Sequence, residues 1–186
     1  MIERQSLEGV VVLSATLHRD DRGAFCETFR ASELAEAGCE RPFVQENLVR
    51  TTRAGVLRGL HFQREPRAQD KLIQVLAGAI FDVVVDIRPG SPTLGEWVGL
   101  MLSVHQPRQL FAPRGFAHGY LTLSEDCVVL YKTTAYYAPD AEGGLRWDDP
   151  ALGIDWPAPR GAISANDRDK NWPPFAEVIA SLKESV

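Results

Sequence analysis

Pro113-Arg114-Gly115-Phe116-Ala117-His118-Gly119-Tyr120 begins as a turn and continues as a strand. Pro113 and Gly115 favour a tight reversal, and the run that follows places Phe116, His118 and Tyr120 on one face at a period of two. Outward from this stretch the chain repeats the plan. Short β-rich runs occur at Val10 to Leu13, Leu72 to Val75, Ala79 to Ile87, Val98 to Val104, Gln109 to Ala112 and Val128 to Tyr137. Turn-forming segments such as Arg88-Pro89-Gly90-Ser91-Pro92 and Pro139-Asp140 divide them. Many short strands with hardly a helical pattern between them describe an antiparallel sandwich or barrel, not βαβ units. The expected fold class is mainly β, a jelly-roll barrel of antiparallel strands. A short helix is expected near 32–38, with Ser32 as its cap and Gly38 as its stop. A C-terminal helix is expected after Pro173-Pro174, with Phe175, Val178, Ile179 and Leu182 on one face. With no internal repeat or linker, residues 1–186 are expected to form one domain.

The 186 residues are 45% apolar, 24% charged and 9% aromatic, the balance of a globular protein rather than a disordered or fibrous one. Twenty Lys and Arg against twenty-five Asp and Glu leave a formal charge of −5. There is no global basic field for a nucleic acid or an anionic membrane, so a bound phosphate has to be held locally. No apolar run approaches the roughly 20 residues of a membrane span, and the first residues lack the order of a secretion signal. A cytoplasmic protein is expected. Cys26, Cys39 and Cys127 are odd in number and show no CxxC spacing, which points to free thiols rather than a disulfide framework or a thiolate metal site.

The densest polar cluster within β-rich sequence is Gly55-Val56-Leu57-Arg58-Gly59-Leu60-His61-Phe62-Gln63, followed by Gln69-Asp70-Lys71-Leu72. A strand against a dry core does not hold Arg, His and Lys this close together without partners. A barrel around a polar ligand needs them; side chains alternating outward into water would also accommodate them. His118, between two aromatics, is either a hydrogen-bonded core histidine or a pocket residue. Tyr131 is a core tyrosine, or a general acid if its hydroxyl shares a cavity with His61 and His118. Asp167 is a turn residue, or the carboxylate that orients His61. Pro-x-Gly-x-x-His is also the second short motif of the cupins, where that histidine often ligates a metal. The His-x-His pair of the first cupin motif is missing, because Phe62 and Gln63 follow His61, and His18 and His105 lie outside the spacing. No metal is expected, since an open site generally wants about three such ligands.

At these residues the chain resembles the dTDP-4-dehydrorhamnose 3,5-epimerase family, the metal-free cupins of deoxysugar nucleotide biosynthesis. The resemblance runs over almost the whole chain. It is carried by Arg22-Gly23, Phe25 to Phe29, Gln45-Glu46-Asn47, Gly55 to Gln63, Gln69 to Leu72, Val85 to Thr93, Pro113 to Gly119, Tyr131-Lys132, and Glu142 with Trp147-Asp148-Asp149-Pro150. The family inverts carbons 3 and 5 of dTDP-4-dehydro-6-deoxy-D-glucose, giving dTDP-4-dehydro-L-rhamnose. Both carbons flank a ketone, so the chemistry needs a base, a stabiliser for the enolate oxygen and an opposed proton donor, and no cofactor. The resemblance implies His61 as base, Asp167 as its orienting carboxylate, Lys71 as the oxyanion cation and Tyr131 as acid. It implies Arg58 and His118 as substrate contacts, and Arg22, Glu27, Gln45, Asn47 and Glu142 as nucleotide or sugar contacts, with Phe25 and Tyr137 around the thymine. It implies a homodimer. Two departures stand out. Ser164-Ala165-Asn166-Asp167 stands where the family commonly has Ser-x-Lys-Asp, and Val49 where it tends to have Ser. The alternatives are an epimerase of carbon 3 alone, an epimerase of a related nucleotide-linked 4-ketosugar, a metal-dependent cupin oxygenase and a non-catalytic sugar-nucleotide binding module.

Overall fold

The computed structural model describes residues 1–158 and 163–184. In chain order the strands are β1 (Ile2–Arg4), β2 (Val11–Ser14), β3 (Leu17–Asp20), β4 (Gly23–Cys26), β5 (Gln45–Thr51), β6 (Leu57–Gln63), β7 (Lys71–Ala77), β8 (Ala79–Asp86), β9 (Trp97–Ser103), β10 (Arg108–Ala112), β11 (Phe116–Thr122), β12 (Cys127–Thr133) and β13 (Glu142–Gly144). The helices are α1 (Ala31–Glu36), α2 (Asp167–Lys170) and α3 (Phe175–Glu184). A six-stranded sheet runs β1-β2-β10-β7-β12-β5 and a five-stranded sheet β13-β6-β11-β8-β9, while β3 and β4 form a separate hairpin. All the strand pairings are antiparallel. This is the mainly β, antiparallel architecture expected from the turn-and-strand pattern.

The two sheets close over one apolar core. Val12, Ile73, Leu110 and Val129 from the first sheet pack with Ile80, Val84, Leu102 and Phe116 from the second. β8 lies between β11 and β9, and Val83, Val84 and Val85 are all fully buried, which explains three apolar residues in succession there. The outer face of the five-stranded sheet is covered by α3, whose Phe175, Val178, Ile179 and Leu182 pack as one stripe on Leu60, Val83, Val85 and Ala117. Asp149 holds the start of this helix, its carboxylate accepting the Phe175 N–H at 2.6 Å. α1 covers the other sheet through Leu34, packed near Val11, Leu72 and Phe111. It begins at Ala31, one residue before Ser32, after an extended Arg30 with no side-chain cap. Gly38 does close it, at φ +98.

Not every motif serves a site. The buried Asp86 carboxylate accepts the Arg88 guanidinium, the Arg88 N–H and the hydroxyls of Ser91 and Thr93, all at 2.6–3.0 Å. Burial alone would push this carboxyl up, but these donors outweigh it and hold it at about 2. The Val85 to Thr93 motif is thus a staple for the β8–β9 turn. The last long strand also ends earlier than expected, at Thr133 rather than Tyr137. Beyond it, Gln69 and Gln63 donate to the carbonyls of Ala135 and Tyr136 and draw the chain off the sheet.

The detail that positions the site is a bulge in β6. His118 faces His61 and Tyr120 faces Arg58, so two steps on β11 oppose three on β6. Without the extra residue Arg58 and His61 would point to opposite faces; with it, both turn inward. Gly59 carries the bulge at φ +129, and a Cβ there would lie 2.5 Å from the Gly119 Cα. Gly59→Ala is expected to cost about 2 kcal/mol or more from backbone strain and this close approach. Urea unfolding of the variant against wild type measures it.

Candidate active site

A cavity of about 260 Å³ opens between the sheets. His61 and Arg58 of β6 and His118 and Tyr120 of β11 reach it from one sheet, and Lys71 of β7 and Tyr131 of β12 from the other. Imidazole and phenol therefore approach one space from opposed walls. Tyr137 and Glu142 line its rim, joined by a 3.0 Å hydrogen bond from the tyrosine hydroxyl.

His61 is oriented by a carboxylate, and that carboxylate is Asp169 rather than Asp167. His61 Nε2 lies 2.7 Å from Asp169 Oδ1, and Asp169 Oδ2 accepts the Gly59 N–H at 3.2 Å. The Asp167 side chain is 98% exposed, with Lys170 Nζ at 3.7 Å. The cause is one turn of helix. Asn166 caps α2 by accepting the Asp169 N–H at 2.7 Å, and from that start residues two apart fall on nearly opposite faces. Burial pushes the Asp169 carboxyl up, but the His61 hydrogen bond and charge, the Gly59 N–H and nearby Arg168 outweigh it and hold it low. The residue before this carboxylate is a cation, Arg168, so the neutral amide at 166 does not leave the segment without positive charge.

Two neighbours of His61 escaped the sequence reading. The Trp172 ring meets His61 edge-on at 6.1 Å and 70°. It lies over Gly144, which pairs with His61 across β13 and β6, and a Cβ at Gly144 would strike the indole. An Asn three residues before an Asp marks the start of a helical turn and could have located Asp169; nothing local signals that Trp172 returns to β13.

Lys71 Nζ donates to the His61 carbonyl at 3.1 Å. Burial lowers its ammonium to about 8, against the pull of Asp82 and Glu142 in the opposite direction. It stays mostly charged at neutral pH. A second pair lies deeper, His118 Nε2 to the fully buried Asp82 Oδ1 at 2.6 Å. The other Asp82 oxygen and the Tyr120 hydroxyl have no protein partner among the described residues. Burial also raises the Tyr131 phenol, partly countered by Arg58, so it keeps its proton at neutral pH.

Other expected contacts lie elsewhere. Arg22 pairs with Asp20 and Glu27 with Arg30, and Phe25 is 69% exposed; all three belong to the β3–β4 hairpin or the segment just after it, and none lines this cavity. Gln45 and Asn47 hydrogen-bond each other at 3.0 Å beside the cavity, Gln45 also accepting the Tyr137 N–H, while Val49 forms part of the wall. Phe25 and Tyr137 are not brought together within one chain. Among the described residues no group of three or more His, Cys, Asp or Glu side chains is placed to hold a metal ion, and no helix is long and apolar enough to cross a membrane.

The sequence model of the dTDP-4-dehydrorhamnose 3,5-epimerase family matches residues 4–177. The chain is 47% identical over 175 residues to the dTDP-4-dehydrorhamnose 3,5-epimerase of Methanothermobacter thermautotrophicus, covering 94% of each. Its fold is similar to that of the dTDP-6-deoxy-D-glucose-3,5-epimerase of Legionella pneumophila in complex with dTDP-4-keto-L-rhamnose. The TM-score is 0.92 at 40% identity, over 98% of this chain and 96% of that one. A 3'-monoepimerase of Streptomyces bikiniensis in complex with dTDP-quinovose gives 0.88 at 32% identity, over 97% and 91%.

Because Lys71 stays protonated only to about pH 8 in the folded state and to about 10.5 when unfolded, the unfolded chain binds more protons between those values. The Lys71 contribution to stability is therefore expected to rise with pH through that window, against an opposing fall above about pH 9 from the raised Cys39 thiol. Lys71→Met is expected to remove the rise and to be more stable at pH 7 by about 1–2 kcal/mol. Denaturant melts at pH 7 and pH 10 check both statements.

Proposed function

Because the chain belongs to the dTDP-4-dehydrorhamnose 3,5-epimerase family, we propose that it inverts carbons 3 and 5 of dTDP-4-dehydro-6-deoxy-D-glucose. The observation that carries the mechanism is the opposition of His61 and Tyr131 across one cavity. Inversion at a carbon beside a ketone requires a proton to leave one face and another to arrive on the other. His61, held by Asp169, removes the proton from carbon 5 or carbon 3. The electron pair of the broken C–H bond moves into the ring as the carbon-4 carbonyl becomes an enolate. Lys71 offsets the charge on that oxygen, and a preorganised cation in a desolvated site can contribute a few kcal/mol to the transition state. Tyr131, kept protonated by its burial, delivers a proton to the opposite face and the ketone re-forms. Protons move and no electrons are gained or lost overall, so the reaction calls for no redox cofactor.

Arg58, His118, Tyr137 and Glu142 bind the sugar nucleotide within the same cavity, with Gln45 and Asn47 supporting its wall. Arg22, Phe25 and Glu27 act in the same recognition from a neighbouring copy. They lie away from their own chain's cavity, and an exposed Phe25 on a two-stranded hairpin suits insertion beside a partner's Tyr137 and thymine. The enzyme is accordingly a homodimer, working in the cytoplasm where its nucleotide-linked substrate is made.

The test is formation of the L-sugar from dTDP-4-dehydro-6-deoxy-D-glucose, trapped by a coupled reductase. Wild type turns over, while His61→Ala, folded by circular dichroism, does not. Asp169→Asn falls by about 10²- to 10⁴-fold, because an amide no longer stabilises the imidazolium or fixes its tautomer. Asp167→Asn stays within about twofold, since an exposed carboxylate contributes little. Turnover in His61→Ala near wild type, or loss in Asp167→Asn with Asp169→Asn active, would overturn the assignment.

A further inference from the structure

Asp169 does not face His61 alone. Arg168 brings Nε to 3.6 Å from the same Asp169 Oδ1 that meets His61. Its Nη1 donates to both Glu142 oxygens, at 3.1 and 3.0 Å. One guanidinium thus spans two carboxylates, one behind the base and one at the rim, where Glu142 also holds the Tyr137 hydroxyl. Arg168 itself lines the cavity with half of its side chain exposed, so a ligand can reach the bridge.

We propose that Arg168 is a positioning residue for the proton transfer: by bridging Glu142 and Asp169 it links occupancy of the sugar-nucleotide site to the negative charge that Asp169 presents to His61. The inference rests on reading His61 as the base. A cation at 3.6 Å takes up part of the Asp169 charge, leaving less to hold a proton on the imidazole. A ligand hydroxyl or phosphate that engages Arg168 or Glu142 loosens the bridge, and Asp169 then supports the imidazolium formed during abstraction. Besides Arg168 and Asp169, the charged or titratable groups of the cavity around His61 are Arg58 of its own strand, Lys71 of β7, His118 and Tyr120 of β11, Tyr131 of β12, Glu142 of β13 and, before that strand, Tyr137. Among the described residues, Arg168 is the Lys or Arg that pairs with Asp169. The bridge also accounts for a cation immediately before the dyad carboxylate, on a helix of four residues whose buried side chain is that of Asp169.

The sign of the effect is fixed. Removing Arg168 leaves Asp169 and Glu142 less compensated, so His61 keeps its proton to higher pH. Wild type, Arg168→Gln and Arg168→Lys are compared by NMR titration of the His61 ring in the ligand-free protein, its signal identified by its loss in His61→Ala. The pH dependence of kcat/KM is measured on the same proteins, since its acidic limb reports the free enzyme. In Arg168→Gln both the ring midpoint and the limb move up by about half a pH unit, a threefold loss of kcat/KM on the acidic side, as suits a half-exposed pair. Arg168→Lys stays close to wild type. Addition of dTDP moves the ring midpoint in wild type, and moves it less in Arg168→Gln. An unmoved midpoint in Arg168→Gln, an equal shift in Arg168→Lys, or the same dTDP response in all three proteins overturns the proposal. A moved ring midpoint with an unmoved kinetic limb would leave the bridge standing and instead refute His61 as the base.

Discussion

One extra residue in β6 decides what this barrel can do. The bulge at Gly59 turns Arg58 and His61 toward the same interior space, and it leaves the Gly59 N–H free to meet Asp169. The backbone that aims His61 thus also anchors the Asp169 carboxylate behind it. Gly119 on the facing strand has to be as bare as Gly59, since a Cβ there would approach the Arg58 carbonyl at 2.7 Å. A pair of glycines on adjacent strands is what lets a packed sheet carry an inward arginine and an inward histidine three positions apart.

Charge inside a barrel is costly unless it is paired, and the interior is arranged around that cost. His61 has Asp169, and His118 has Asp82. Lys71 donates a hydrogen bond to a backbone carbonyl; burial weakens its ammonium, and the longer-range charges of Asp82 and Glu142 offset part of that, so it is still charged at neutral pH. The two sheets then divide the chemistry. The five-stranded sheet supplies the imidazoles and the six-stranded sheet the lysine and the phenol, so the opposition of His61 and Tyr131 follows from sandwich topology rather than from a loop. Rigid strands hold such a geometry more closely than mobile segments do.

The sequence made most of this legible, and the failures have physical causes. β11 could be read because its period of two is unbroken from Phe116 to Tyr120, and α3 because its four apolar positions share one stripe. β6 read only as a polar cluster, since a bulge disrupts the alternation by which a strand is recognised. The orienting carboxylate was placed two residues early because the start of α2 depends on Asn166 acting as a cap, and a one-turn helix offers no periodicity to show it. Arg22, Phe25 and Glu27 were recognisable as motif residues, yet nothing in a linear sequence says whether a hairpin serves its own cavity or a neighbour's. Trp172 was invisible because its role depends on the missing side chain of Gly144, far away in sequence.

The account turns on protons leaving and arriving at two carbons of one sugar. Proton NMR of dTDP-4-dehydro-6-deoxy-D-glucose incubated with the protein in deuterium oxide, with the coupled reductase present, counts them directly. Deuterium at both carbon 3 and carbon 5 of the trapped L-sugar is the predicted result. Deuterium at carbon 3 alone would make the protein a 3-epimerase, and none at either carbon would contradict the acid–base reading of the cavity.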